Sequence, residues 1–185
     1  MKKLGQLFVR NATWRGVGVL GVMFLAFNVL FAVLGKDLEQ TPDTLGFVGG
    51  QALVQCIEGM GPNGIEAYQP IALFDLSYPF VYATFFSFLW ALLRVGRGAD
   101  VHTAIGRRMM LPWVVAVADW IENISVLRYL DQLSYAVFIG GVPEPSDLLL
   151  TVWAVGHNLK WALLSLVIVL VLVEVVRYRQ ARARR

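Results

Sequence analysis

Four apolar stretches, at about residues 16–34, 70–93, 109–130 and 148–176, decide what this chain is able to fold into. At about 1.5 Å of rise per residue, each is long enough to cross a hydrocarbon core of about 30 Å. Lipid offers no water to an unpaired backbone group, so stretches of this kind are helices. A soluble fold of 185 residues has little interior in which to hide them. Composition agrees: 57% of residues are hydrophobic and 16% charged, against about 45–50% and about 25% in soluble domains. The expectation is an all-α integral membrane protein, a single transmembrane domain built as a four-helix bundle.

The basic residues sort the connections into two sides. Lys2, Lys3, Arg10 and Arg15 precede the first stretch. Arg94, Arg97, Arg107 and Arg108 lie between the second and third, and Arg177, Arg179, Arg182, Arg184 and Arg185 follow the fourth. The alternate connections are acidic, with Asp37, Glu39, Asp43, Glu58, Glu66, Asp131, Glu144 and Asp147. The positive-inside rule then puts both termini in the cytoplasm and residues 35–69 outside, in a plasma or bacterial-type inner membrane. The basic tail, residues 177–185, reads as a topology anchor near anionic headgroups. It lacks the interleaved aromatics and folded partner of a nucleic-acid site, so no nucleic acid is expected. The first apolar stretch exceeds a signal-peptide core and no small-x-small cleavage site follows, so a retained helix is expected.

The lone Cys56 excludes an internal disulfide framework and any multi-cysteine zinc or iron–sulfur centre, and reads as a small buried or interfacial residue. In residues 35–69, Pro42, Gly46, Gly49, Gly50, Gly59, Gly61, Pro62 and Gly64 argue against one regular element. Phe47, Val48, Leu53, Val54 and Ile57 suit one face of a short interfacial helix, and the segment reads as a passive loop on the headgroups in preference to a lid. Small residues every fourth position, Ala83–Ser87–Ala91 and Ala154–Asn158–Ala162, read as packing seams.

The residues that carry information are polar groups inside the spans. A charge at the middle of a membrane helix costs about 2.5–3.5 kcal/mol on insertion scales, so such groups must face one another. Asp119, Glu122 and Asn123 share one helix face by their spacing, as do Asp75, Tyr78 and Tyr82 on the second span. Trp153, His157, Lys160 and Trp161 fall on one stripe of the fourth. Counting in from the outer boundaries places Glu122 about 12 Å, His157 about 13 Å and Asp119 about 16 Å deep. One outward-opening cluster accounts for all three helices.

Asp119, Glu122 and His157 are therefore the candidate acid–base residues. Asp75, Tyr78, Tyr82, Asn123, Trp153, Asn158 and Trp161 are candidate ligand-binding residues, with Lys160 as counter-ion and Arg128 snorkelling outward. Tyr78, Tyr82, Phe85, Trp120, Trp153 and Trp161 could line an apolar pocket, although most of these aromatics are expected in ordinary packing or interfacial roles. The favoured function is binding or acid–base processing of a lipid-like or isoprenoid-like molecule. A proton-coupled carrier or channel component and an accessory subunit of a membrane complex remain alternatives, and whether the chain is an enzyme stays open. Membrane lipids, an apolar small molecule, and a second copy or another membrane protein are the partners these readings imply. No cofactor or metal is called for, since the Glu-x-x-His pair of di-iron bundles is absent after Glu122. The general plan of four membrane helices with buried carboxylates and an aromatic pocket resembles the emopamil-binding isomerase and sigma-2 receptor group. The runs FDLSYPFVY, ADWIEN and GHNLKW match none of that group's motifs, and no residue role is carried over.

Overall fold

A computed structural model describes residues 10–99, 107–139 and 144–184. Lys2, Lys3 and Arg185 lie outside the described residues, as do the side chains of Arg107 and Arg108. Among the described residues all regular structure is helical: α1 (Trp14–Leu34), α2 (Gln51–Asp75), α3 (Tyr78–Val95), α4 (Leu111–Ile139) and α5 (Asp147–Ala183), with short 3-10 turns at Pro42–Thr44 and Arg107–Met110. Among the described residues, three helical stretches are long and apolar enough to cross a membrane: Trp14–Leu34, the run Gln51–Val95 and Asp147–Ala183. Helix α4 falls outside that group because Asp119, Glu122, Arg128 and Asp131 interrupt its apolar sequence. On α1 only Val17 is buried, while Val19, Val22, Leu25, Val29 and Val33 are exposed. Such a surface is at home against acyl chains and costly in water.

Residues 35–50 are irregular apart from the 3-10 turn, as expected, but the rest of the expected loop is helical. Helix α2 starts at Gln51, some twenty residues before the second apolar stretch, and continues to Asp75. Gly61 alone interrupts it, with φ 65° and ψ 177°, a conformation nearly confined to glycine. Pro62 follows at the start of the next helical segment, where its missing N–H has no partner to lose. Gly61 and Pro62 therefore punctuate a kinked helix. They do not dissolve it.

The second apolar stretch is in turn broken between α2 and α3, at Leu76 and Ser77. In an unbroken helix the Asp75 carbonyl would accept the N–H of residue 79. That residue is Pro79, which has none.

The chain forms two compact units, each with its own interior. One comprises residues 27–79 and 117–161. Its apolar core gathers Leu45, Leu53, Ile57 and Tyr68 with Val126, Tyr129, Leu150 and Trp153. Helix α5 enters it from Ser146, whose hydroxyl accepts the Leu149 N–H at 3.3 Å as an N-cap. Gly50 and Gly156 mark close approaches between its segments. A Cβ on Gly50 would lie 2.6–2.8 Å from Leu150, and one on Gly156 would lie 3.0 Å from the Ala118 carbonyl.

The other unit comprises residues 1–26, 80–116 and 162–185. Phe24 stacks on Phe85 at 5.7 Å, and the Ser87 hydroxyl donates to the Met109 carbonyl at 3.0 Å. Ala83, Ser87 and Ala91 are all fully buried, as a close-packed seam requires. The second stripe of small residues does not form such a seam, since Ala162 is exposed. Gly156 makes the close contact on α5 instead.

Candidate functional site

The polar cluster lies wholly within the unit formed by residues 27–79 and 117–161. Its centre is Lys160 on α5. The ammonium nitrogen is 2.5 Å from Glu122 Oε2, 2.9 Å from Asp43 Oδ1 and 3.4 Å from Asp119 Oδ1. Glu122 and Asp119 share a face of α4, as their spacing dictates, and both are buried. Lys160 also lies 5.6 Å from the Trp161 ring centroid, within range for a cation–π contact.

Glu122 reaches a second partner. Its Oε1 is 2.7 Å from His157 Nδ1, and neither side chain has any solvent exposure. The other ring nitrogen, Nε2, is 2.9 Å from the carbonyl oxygens of both Leu45 and Gly46. A carbonyl only accepts, so Nε2 carries a proton and donates it there. Neutral imidazole would then have a bare Nδ1 facing a bare carboxylate oxygen. Two acceptors do not bond, so a further proton sits between Nδ1 and Oε1. The contact between His157 and Glu122 is shielded from solvent on both sides. Trp153 holds the imidazole plane by stacking on it at 5.0 Å and 19°.

Residues 41–48 complete the enclosure. Pro42–Thr44 is a 3-10 turn tied by its own threonines: Thr44 Oγ1 accepts the Thr41 N–H at 3.1 Å and donates to the Thr41 carbonyl at 2.8 Å. The turn presents Asp43 to Lys160, and the Tyr68 hydroxyl reaches Asp43 Oδ2 at 3.5 Å. Beyond it Leu45 is buried. Asn158 pairs with Val48 on both sides of its amide, donating to the carbonyl at 2.9 Å and accepting the N–H at 3.2 Å. One turn of α5 thus grips the segment at Asp43, at Leu45 and Gly46, and at Val48. Residues 41–48 are built into the site, and the expectation of a passive loop on the headgroups gives way.

No known protein family, characterised protein or solved structure matches this chain. The chemistry has to be argued from its own residues.

The remaining candidates divide. Asn123 bridges two elements, with Nδ2 3.3 Å from the Asp75 carbonyl and 3.4 Å from Asp119 Oδ1. Trp120 donates to the Leu76 carbonyl at 2.8 Å. Both side chains serve the broken end of α2, where Pro79 leaves an acceptor over. Asp75 is buried at that end. Tyr78 is engaged by α1, its hydroxyl accepting from Asn28 at 2.9 Å and its ring meeting Phe31 at 5.3 Å. Tyr82 is buried but belongs to the other unit. Arg128 is exposed on α4.

Sequence reasoning missed Asp43, Tyr68 and the carbonyls of Leu45 and Gly46. Cys56 is buried, its thiol 3.9 Å from the Gln40 carbonyl. As for a metal, Asp43, Asp119 and Glu122 each offer an oxygen within 4.8 Å of the others, a grouping suited to a divalent cation. Lys160 already provides a tethered positive charge to the same three carboxylates. An ion would have to displace it.

Proposed function

We propose that this chain is a four-span protein of a plasma or inner membrane, with both termini cytoplasmic, that uses Glu122 and His157 for proton transfer to an apolar, lipid-like or isoprenoid-like molecule. The topology is supported by the basic residues on one set of connections and the acidic residues on the other. The chemistry rests on one observation: the 2.7 Å contact between two wholly buried groups that must hold a proton between them. A general acid–base pair needs such a proton within hydrogen-bond reach, in a place water does not compete for it. Lys160 and Asp119 set the charge around the pair. Residues 41–48 form the lid, and admission of a substrate requires their release from His157, Asn158 and Lys160.

Exchange of label tests this reading. Purified protein is incubated in D2O with a total lipid extract of its host membrane, and the lipids are then read by mass spectrometry. Deuterium entering a carbon position of one lipid class with the wild type, and not with Glu122→Gln, is the expected result. The glutamine amide is able to donate to His157 and accept from Lys160, so the fold is kept while the transferable proton is lost. No incorporation under any condition would end the acid–base reading.

A proton-coupled carrier is the second reading, favoured by the unbroken chain of contacts from His157 through Glu122 and Lys160 to Asp119. Proton flux in liposomes that disappears in Glu122→Gln, without lipid labelling, would select it.

A further inference from the structure

The unit formed by residues 1–26, 80–116 and 162–185 carries a different kind of opening. Where α3 ends, Arg97, Gly98 and Ala99 line a cleft of about 510 Å³ together with Arg177 and Gln180 on α5 and Arg184 just beyond its end. Spacing of three to four residues puts Arg177, Gln180 and Ala181 on one side of the helix, and Arg184 lines the same cleft from just past the helix end. The cleft is positive. Glu174 is its nearest buried acid, 2.6 Å from Arg97 and 3.9 Å from Arg177. Among the described residues, one carboxylate against three guanidinium groups leaves two positive charges.

A second groove of about 440 Å³ adjoins it. Val169, Leu172, Val173 and Val176 line this groove, and it shares Arg177 and Gln180 with the cleft. Leu172 and Val176 are more than half exposed. The two openings form a continuous track along α5: apolar for two turns, then cationic. An ion has no use for the apolar part, and a neutral lipid has none for the guanidinium heads. A fatty-acyl chain ending in an anionic phosphodiester fits both.

We infer that this track binds one anionic phospholipid, with its phosphate between Arg177, Arg184 and Arg97 and an acyl chain along Val169–Val176. Guanidinium heads take phosphate oxygens in pairs, and basic pockets at helix ends select anionic headgroups. Glu174 orients Arg97 without neutralising the cleft. The site is independent of the Glu122–His157 chemistry.

The test uses the full chain in a neutral detergent, titrated separately with phosphatidylglycerol, phosphatidylcholine and inorganic phosphate, and read by native mass spectrometry and thermal shift. Phosphatidylglycerol is expected to remain as a single adduct, with phosphatidylcholine at least about fivefold weaker. Arg177→Gln with Arg184→Gln should weaken the phosphatidylglycerol adduct by about fivefold per arginine, whereas lysine at both positions should keep most of it. Val173→Trp, which leaves every charge in place, should reduce the same adduct by filling the groove. Equal retention of the two lipids, an unchanged adduct in the double glutamine variant, or stabilisation by phosphate alone to the same extent would each overturn the assignment. None of these variants should alter deuterium labelling at the Glu122 site.

Discussion

The two units bury ionic groups in opposite ways. In one, Lys160 is enclosed by three carboxylates and a loop, beside a histidine and glutamate with no exposure at all. In the other, Glu174 is buried but its partners Arg97 and Arg177 keep 22% and 55% of their side chains exposed. Taking charges out of water costs several kcal/mol per ion, recovered only when geometry and hydrogen bonds are complete. The first arrangement completes them with backbone carbonyls drawn from residues 41–48. The second leaves its guanidinium groups open, so it does not need completing. The closed cluster is shielded from solvent by residues 41–48. An open one is a surface for charge.

This contrast predicts a graded set of losses. The largest belongs to Lys160→Met, which strands three carboxylates and should cost about 3–5 kcal/mol of stability. Thermal unfolding of the detergent-solubilised protein, followed by tryptophan fluorescence, measures it. A small change would mean that the carboxylates are not charged against Lys160, and the comparison would lose its first term.

Next comes Gly156→Val. The added side chain meets the Ala118 carbonyl and the Glu122 backbone nitrogen, at 3.0 and 3.1 Å from its Cβ. Overpacking of this sort costs about 1–3 kcal/mol and should push α5 away from α4 beside His157. A histidine-specific readout, the nitrogen chemical shifts of His157, should move with it.

Asn158→Ala removes both bonds to Val48 and is expected to cost about 1–2 kcal/mol. Its sharper signature is local: hydrogen exchange should rise across residues 41–48 while α3 is unaffected. Uniform exchange would show that the segment is not held at discrete points. The smallest effect is predicted for Glu174→Gln, at about 1 kcal/mol or less, because its arginine partners already reach solvent. A loss as large as that of Lys160→Met would erase the distinction between the units.

Much of the cluster was legible in the sequence, for a definite reason. Asp119, Glu122, His157 and Lys160 stand out because ionisable groups are expensive in apolar helices and must find one another. Helical spacing then gave their shared faces. Asp43 had no such signal. It sits among glycines, prolines and acids in a connecting segment, where one more carboxylate is unremarked, and 117 residues separate it from Lys160. The carbonyls of Leu45 and Gly46 belong to the backbone, which no residue type advertises. Helix α2 was hidden by its own punctuation, since Gly61 and Pro62 argued against one regular element and proved to mark a kink. The break before α3 did have a marker in Pro79, whose lost N–H explains why Asn123 turns toward Asp75. Tyr82 shows the limit of facial reasoning: its spacing from Asp75 assumes one straight helix, and the helix stops between them.

His157, Asn158 and Lys160 occupy a single helical turn, and each holds a different station of the same short segment. Any axial slide of that turn by one residue, about 1.5 Å, or a rotation of about 100°, displaces all three together. One displacement of that turn would therefore disturb every fastening of residues 41–48 at once, at Asp43, at Leu45 and Gly46, and at Val48.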